Sequence, residues 1–187
     1  MADASASDDA RGEAAASAPT AAPLLPMIER RRIEAEILKE VYDTLKETHG
    51  IETAKATIAE AVRRSSKAQA KLFADEARAK EGRTSMATFL ALRPLWTMNG
   101  ALEIEMVEET PSRLAYNVTR CRYAEMYRAM GLGEIGHLLS CQRDGTFCEG
   151  YDKHLKLTRT QTIMQGASHC DFRYVYDAKG EAAEPKT

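Results

Sequence analysis

The stretch "LEIEMVEETPSRLAYNVTR", Leu102 to Arg120, decides the fold class. In "LEIEMVEE" apolar and acidic residues alternate, the period of a strand whose successive side chains point to opposite faces. "TPSR" then places proline at the second position of a turn, and "RLAYNVTR" resumes the alternation, so the segment reads as an antiparallel hairpin. Upstream the period is helical. After Pro26, Ile33, Ile37, Val41 and Leu45 recur at steps of four among Glu, Arg and Lys, which predicts a helix from about 27 to 48 stopped by Gly50. A second helix is expected from about 53 to 80, with Ile58, Ala61, Val62, Ser65, Gln69, Leu72 and Phe73 along one stripe and Gly82 at its end. Ser85 can cap a short third helix carrying Met86, Phe89 and Leu90, which Pro94 would end or kink.

Downstream of the hairpin the helical period returns in "YAEMYRAMG", where Tyr123, Met126, Tyr127 and Met130 share a face, and again from Glu134 to about Tyr151, with a break expected at Gly145. "LKLTRTQTIMQ" and "CDFRYVYD" make a second hairpin across Gly166. The expected architecture is α+β: long N-terminal helices, then ββ-αα-ββ with an antiparallel sheet covered on one face. Residues 1–23, rich in Ala, Ser, Asp and Pro, show no apolar periodicity and are expected to be a disordered tail. Residues 24–177 are expected to form a single domain, helical over 24–98 and carrying the sheet and active site over 99–177, and 178–187 a polar tail.

Charge and hydropathy exclude some classes. Basic residues number 26 and acidic ones 28, for a net charge of −2, so nothing announces a nucleic-acid partner. No run of 18 apolar residues occurs, and Asp8, Asp9 and Glu13 stand where a signal peptide needs an apolar core, so a cytoplasmic protein without a membrane partner is expected. The Ala-rich amphipathic helices invite self-association, and a homo-oligomer is expected.

Candidate chemistry gathers in the C-terminal half. His137, Cys141, Asp144 and Cys148 fall three and four residues apart, a stripe of reactive groups on one helix face. These are zinc-ligand types, but Cys-x6-Cys is not a zinc-knuckle spacing, so no cofactor is expected, with zinc at Cys141 and Cys170 the alternative. Alternation puts Cys170, Phe172, Tyr174 and Tyr176 on one face of the last strand and Asp171 and Arg173 on the other, where those two could pair. On the partner strand Arg159 stands between Leu157 and Ile163 on an apolar face. Burying a guanidinium is costly unless an anion meets it, and that anion is either a protein carboxylate, Asp144 or Asp171, or the acid group of a ligand. Asn117 and Arg120, leading into Cys121, could orient a small polar ligand.

Within "CRYAEMYRAMGLGEIGHLLSCQRDGTFCEGYDKHLKLTRTQTIMQGASHCDFRY", Cys121 to Tyr174, a set of spaced positions stands out. They are Cys121-x-Tyr123-Ala124, Gly131-Leu132, Cys141-x2-Asp144, Gly150, Arg159-Thr160-x-Thr162 and Gly166-x3-Cys170-Asp171-Phe172. This pattern resembles the L-2-amino-thiazoline-4-carboxylic acid hydrolases, most densely over residues 115–176. A second, sparser resemblance is to small-ligand sensor domains of the four-vinyl-reductase type, whose zinc-holding Glu and Cys positions fall on Arg159, Thr162, Cys170 and Cys141. Two of those positions are replaced here, one by a cation.

The first resemblance implies a hydrolase that opens a small five-membered heterocycle by attack at its C2 carbon. A thiolate of Cys141 or Cys170 would attack, assisted by Asp144 or His137, with its pKa lowered by Arg159. Arg159 would hold the substrate carboxylate, and Thr160, Thr162, Asn117, Cys121 and Asp171 would complete the binding set. Alternatively Asp144 or Asp171 activates water and the thiols only line the site. A zinc-dependent version and a non-catalytic, sensor-like binding domain are the remaining alternatives.

Overall fold

Pro26 ends the extended entry to the first helix: its fixed φ suits that position and its missing N–H would have no partner there in any case. The computed structural model describes residues 25–177, so the tails expected over 1–23 and 178–187 lie outside the described residues. Helix α1 spans Met27–His49 and α2 spans Ile51–Glu81. Gly50 separates them at φ 82°, a left-handed value that glycine adopts without a Cβ penalty, and the two helices pack side by side.

The inward face of α1 is not the one expected. Ile33, Ile37 and Val41 are exposed, whereas Ile28, Arg31, Ala35, Leu38, Tyr42 and Leu45 turn inward. The inward line of α1 advances in alternating steps of three and four, which keep to one side of a helix of 3.6 residues per turn. On α2 the buried line is Ala54, Ile58, Val62, Ser66, Ala70 and Ala74, and Ala61, Ser65 and Leu72 face outward.

Ser85 caps α3 (Met86–Leu90) with a reciprocal pair of bonds to Thr88. Pro94 does not end this helix. It is the second residue of a new turn, α4 (Arg93–Thr97), where its missing N–H costs nothing. Strands β1 (Leu102–Glu109) and β2 (Arg113–Cys121) form the expected hairpin. Helix α5 (Arg122–Ala129) follows, then a π-helical turn over His137–Cys141 running directly into α6 (Gln142–Tyr151). Gly145 does not break α6, which continues through it.

Strands β3 (Leu155–Thr158) and β4 (Cys170–Tyr176) complete an antiparallel sheet of order β1-β2-β4-β3. The fold is therefore α+β, as expected, with β3 shorter than its alternation predicts. The cause is Asp171: its carboxylate accepts from the Thr160 N–H at 3.0 Å and the Gln161 N–H at 2.9 Å, taking donors a ladder would use. Thr162 then caps a 3-10 turn over Ile163–Gln165.

The sheet lays one face against the helices. Register pairs Leu114 with Tyr174, Tyr116 with Phe172 and Val118 with Cys170, so apolar and aromatic groups form rows across β2 and β4. Helix α6 is held between these rows and α2 and brings its residues to the centre of the molecule.

Candidate functional site

Where α6, α2 and the start of α1 meet the sheet, the core is hollow. The cavity measures about 100 Å³. For scale, an apolar cavity of about 150 Å³ admits benzene, so a five-membered ring is the right order of size. Its sheet side is aromatic, with Tyr116, Phe172 and Tyr174, and Phe89, Trp96 and Phe147 close the end near α3 and α4. Tyr116 stacks on Phe172 with centroids 4.9 Å apart, and Trp96 meets Phe147 edge to face at 5.4 Å. Cys121, Cys141 and Cys170 each contribute to the wall.

Ser140 and Cys141 reach the cavity from the π-helical turn, in which the N–H of Gln142 bonds back to the carbonyl of His137. That wider turn advances the chain through a smaller angle per residue than an α-helix does. The stripe expected from His137 through Cys148 is therefore broken. Cys141 and Asp144 line the cavity, whereas His137 and Cys148 do not. His137 lies half-buried, its imidazole pKa lowered by burial and by Lys55 of α2.

Asp144 is the central group. It is enclosed by protein, yet 35% of its side-chain surface is open, and it forms part of the cavity wall. Arg159 Nη1 donates to Asp144 Oδ2 at 2.5 Å, Arg159 Nη2 donates to the Cys141 carbonyl at 2.8 Å, and the guanidinium lies 4.9 Å from the centre of the Phe172 ring. Arg159 thus meets a protein carboxylate, one of the two partners its sequence position suggested, and its fork is occupied. Burial pushes the Asp144 carboxyl above its ordinary range; Arg159 pulls the other way without cancelling the shift.

The thiols are not activated. Burial, reinforced by the Asp144 charge, pushes Cys141 up to about 12 despite Arg159, and burial pushes Cys121 up to about 11. Cys170 is raised too, chiefly by burial, although its Sγ accepts from the Ile163 N–H at 3.2 Å. Arg159 does pull the Cys141 and Cys170 thiols down, as expected, but burial first and the Asp144 charge beside it outweigh that pull, so both end raised.

Four of the expected binding residues stand elsewhere. Asn117 takes a bond from Arg173 at 3.0 Å, and neither borders the cavity. Asp171 therefore does not pair with Arg173; it ties down Thr160 and Gln161, and although desolvation is the largest single effect and raises its carboxyl, their hydrogen bonds together hold it below the usual range. Thr160 serves that tether, and Thr162 is buried as a cap that accepts from the Gln165 N–H at 3.2 Å. Among the described residues no three His, Cys, Asp or Glu side chains are grouped so as to hold a metal ion.

Sequence reasoning missed Arg31, Ser66, Gln69 and Arg143, which make the cavity's polar wall on the helix side. Arg31 was visible in principle, as the charged member of the alternating 28-31-35-38-42-45 stripe of α1.

Residues 30–174 match the family described as L-2-amino-thiazoline-4-carboxylic acid hydrolase. No curated protein matches the chain significantly. Among solved structures, the phenol-responsive sensory domain of the transcription activator PoxR with phenol superposes with a TM-score of 0.49 at 13% identity, over 78% of this chain and 74% of that one. A trafficking protein particle complex subunit 3 from Naegleria fowleri, covalently bound to palmitic acid, superposes with a TM-score of 0.46 at 9% identity, over 80% of this chain and 96% of that one.

Proposed function

We propose, from the premise that the chain belongs to the L-2-amino-thiazoline-4-carboxylic acid hydrolase family, that it hydrolyses a small five-membered cyclic amidine or amide seated in the central cavity. The observation that carries this reading is Asp144: a carboxyl open to an aromatic-walled hollow, raised above its usual range and fixed in orientation by Arg159.

Ring opening requires a nucleophile at the C2 carbon and a proton for the departing ring atom. Asp144 takes a proton from water as the water oxygen bonds to C2, giving a tetrahedral intermediate. As that intermediate collapses, the bond from C2 to the ring sulfur or nitrogen breaks and the proton passes from Asp144 to the departing atom. The net change is addition of one water, and Asp144 ends ionised as it began. Arg159 does not hold the substrate in this scheme; it positions Asp144 and stabilises its ionised form. Cys121, Cys141 and Cys170 remain protonated near neutral pH and shape the cavity, which supports water activation over thiolate attack.

The test is incubation of purified protein with a panel of five-membered cyclic amidines and imides, 2-aminothiazoline-4-carboxylate included, read by mass gain of one water. Turnover is expected. Asp144→Asn should lower it by about 10²- to 10⁴-fold, the usual worth of a positioned base, while Cys141→Ala and Cys170→Ala stay within about tenfold because no covalent step is lost. Abolition by Cys141→Ala or Cys170→Ala with a fully active Asp144→Asn would reverse the roles. Binding without turnover would favour the sensor-like alternative.

A further inference from the structure

The helix-side wall of the cavity holds more positive charge than the protein neutralises. Arg31 on α1 and Arg143 on α6 are 5% and 8% exposed, and both border the cavity. They share a single carboxylate: Glu34 Oε2 accepts from Arg31 Nη1 at 2.5 Å and from Arg143 Nη2 at 3.0 Å. Gln69 takes Arg31 Nη2 at 3.0 Å, and the Leu139 carbonyl takes Arg143 Nε at 2.9 Å, but these are neutral acceptors. Arg143 Nη1 is buried and meets no acceptor among the described residues. Asp144 lies near enough to favour the charged Arg143 as well, but it is already paired with Arg159, so the three guanidiniums of Arg31, Arg143 and Arg159 meet only the two carboxylates of Glu34 and Asp144.

A buried guanidinium with an unmet donor and no counter-charge of its own is a costly arrangement unless something absent from the chain completes it. Burial and the neighbouring Arg31 hold the Arg143 pKa down to about 10, still far above neutral, so the charge persists.

We propose that Arg143, held in place by Glu34 and supported by Arg31, is the subsite for one anionic group of the ligand, a carboxylate on a small ring. This assignment rests on the cavity being the ligand site, and it moves acid recognition from Arg159, which is occupied, to Arg143. The ring then lies against Phe172 and Tyr116 near Asp144, with its acid group toward α1 and α2. Specificity follows: a neutral ring leaves the Arg143 donor unmet and is rejected, as sites built to bond a polar group reject analogues lacking it.

The experiment measures binding without chemistry. The full chain is titrated with thiazole-4-carboxylate and with unsubstituted thiazole, followed by calorimetry and thermal shift, with chloride and acetate at matched concentration as free-anion arms. The carboxylate ring should bind at least tenfold more tightly than thiazole. Arg143→Gln should erase most of that preference, a loss of about ten- to a hundredfold, the range for a charge-assisted bond. Asp144→Asn should still bind the carboxylate ring, which separates this inference from the hydrolase reading. Equal wild-type binding of both rings, or binding of neither, overturns the proposal whether or not Arg143→Gln folds. So does a preference that survives Arg143→Gln or disappears instead in Arg159→Gln, and so does chloride or acetate shifting stability as much as the ring, which marks an adventitious anion only.

Discussion

Two glycines of α6, five residues apart, should respond to alanine with opposite signs. At Gly150 an added Cβ would stand 2.7 Å from the Lys67 carbonyl oxygen, 2.8 Å from Lys67 Cα and 3.0 Å from Ala70 Cβ. Carbon contacts are optimal near 3.5–4.0 Å, so α2 and α6 would have to separate by about 1 Å. Two of the obstructing atoms are backbone and cannot swing aside. The separation would strain the bonds that cross this interface, from Ser66 Oγ to the Arg143 carbonyl at 3.0 Å and from Gln142 Nε2 to the Ala59 carbonyl at 2.8 Å. Overpacking costs about 1–3 kcal/mol, and strain on buried hydrogen bonds adds about 1 kcal/mol. The gain from replacing a helical glycine returns roughly 0.5–1 kcal/mol. Gly150→Ala should therefore destabilise by about 1–3.5 kcal/mol, about 2–14 °C in Tm for a domain of this size. At Gly145 nothing lies within 4 Å of an added Cβ, so only the helix term applies. Gly145→Ala should stabilise by up to about 1 kcal/mol. Urea unfolding of both variants against wild type reads the difference. A Gly150→Ala protein as stable as wild type, or a Gly145→Ala protein clearly weaker, would refute this account of how α6 is seated.

Three further outcomes follow from the same geometry. Because the ionised Asp144 is the proposed base and its pKa is raised, kcat/KM should fall with decreasing pH along a limb lying above the ordinary aspartate value of about 3.9; a limb at or below that value, in a pH–rate series, contradicts the assignment. Thiols raised to about 11 and about 12 at Cys121, Cys141 and Cys148 should resist iodoacetamide at pH 8 until the protein is unfolded, and rapid labelling of native Cys141 seen by mass spectrometry would count against the burial argument. Ile37 is 69% exposed and Ile58 is 1% exposed, so chemical denaturation should find Ile37→Ser within about 0.5 kcal/mol of wild type and Ile58→Ala weaker by about 2–5 kcal/mol; comparable losses at the two sites would not fit the orientation of α1 and α2.

The two long helices, the first hairpin and the last strand were all legible because periods of 3.6 and 2 report directly on backbone geometry. What periodicity could not report is which of two plausible stripes faces inward, since Ile33, Ile37 and Val41 outrank Arg31 and Ala35 in hydrophobicity while lying on the wrong side. The edges of β3 and the continuity of α6 depended on single side chains, Asp171 capturing backbone donors and Gly145 finding open space, which no window of residues announces. At the site, Cys121, Cys141, Asp144, Arg159 and Cys170 could be picked out by residue type, but Asn117, Thr160, Thr162 and Asp171 look equally reactive on paper and serve to tie the chain together. Arg143 stayed hidden because its meaning comes from Glu34 and Arg31, more than 100 positions away in the chain, as the Arg143–Glu34 separation of 109 residues shows.

The π-helical turn before α6 acts as a local phase setting for the cavity wall. Its one surplus residue is taken up locally, so that Ser140 and Cys141 reach the hollow while α6 keeps its own phase beyond them, and removing a single residue there would let the segment close as ordinary α-helix. Arg143 and Asp144 would keep their places on α6, and what would change is which side chains of His137–Cys141 stand at the cavity wall. The lining of the hollow is then sensitive to length as well as to residue identity. A one-residue deletion within His137–Cys141 should leave a folded protein with an altered cavity wall and its Asp144–Arg159 pair intact.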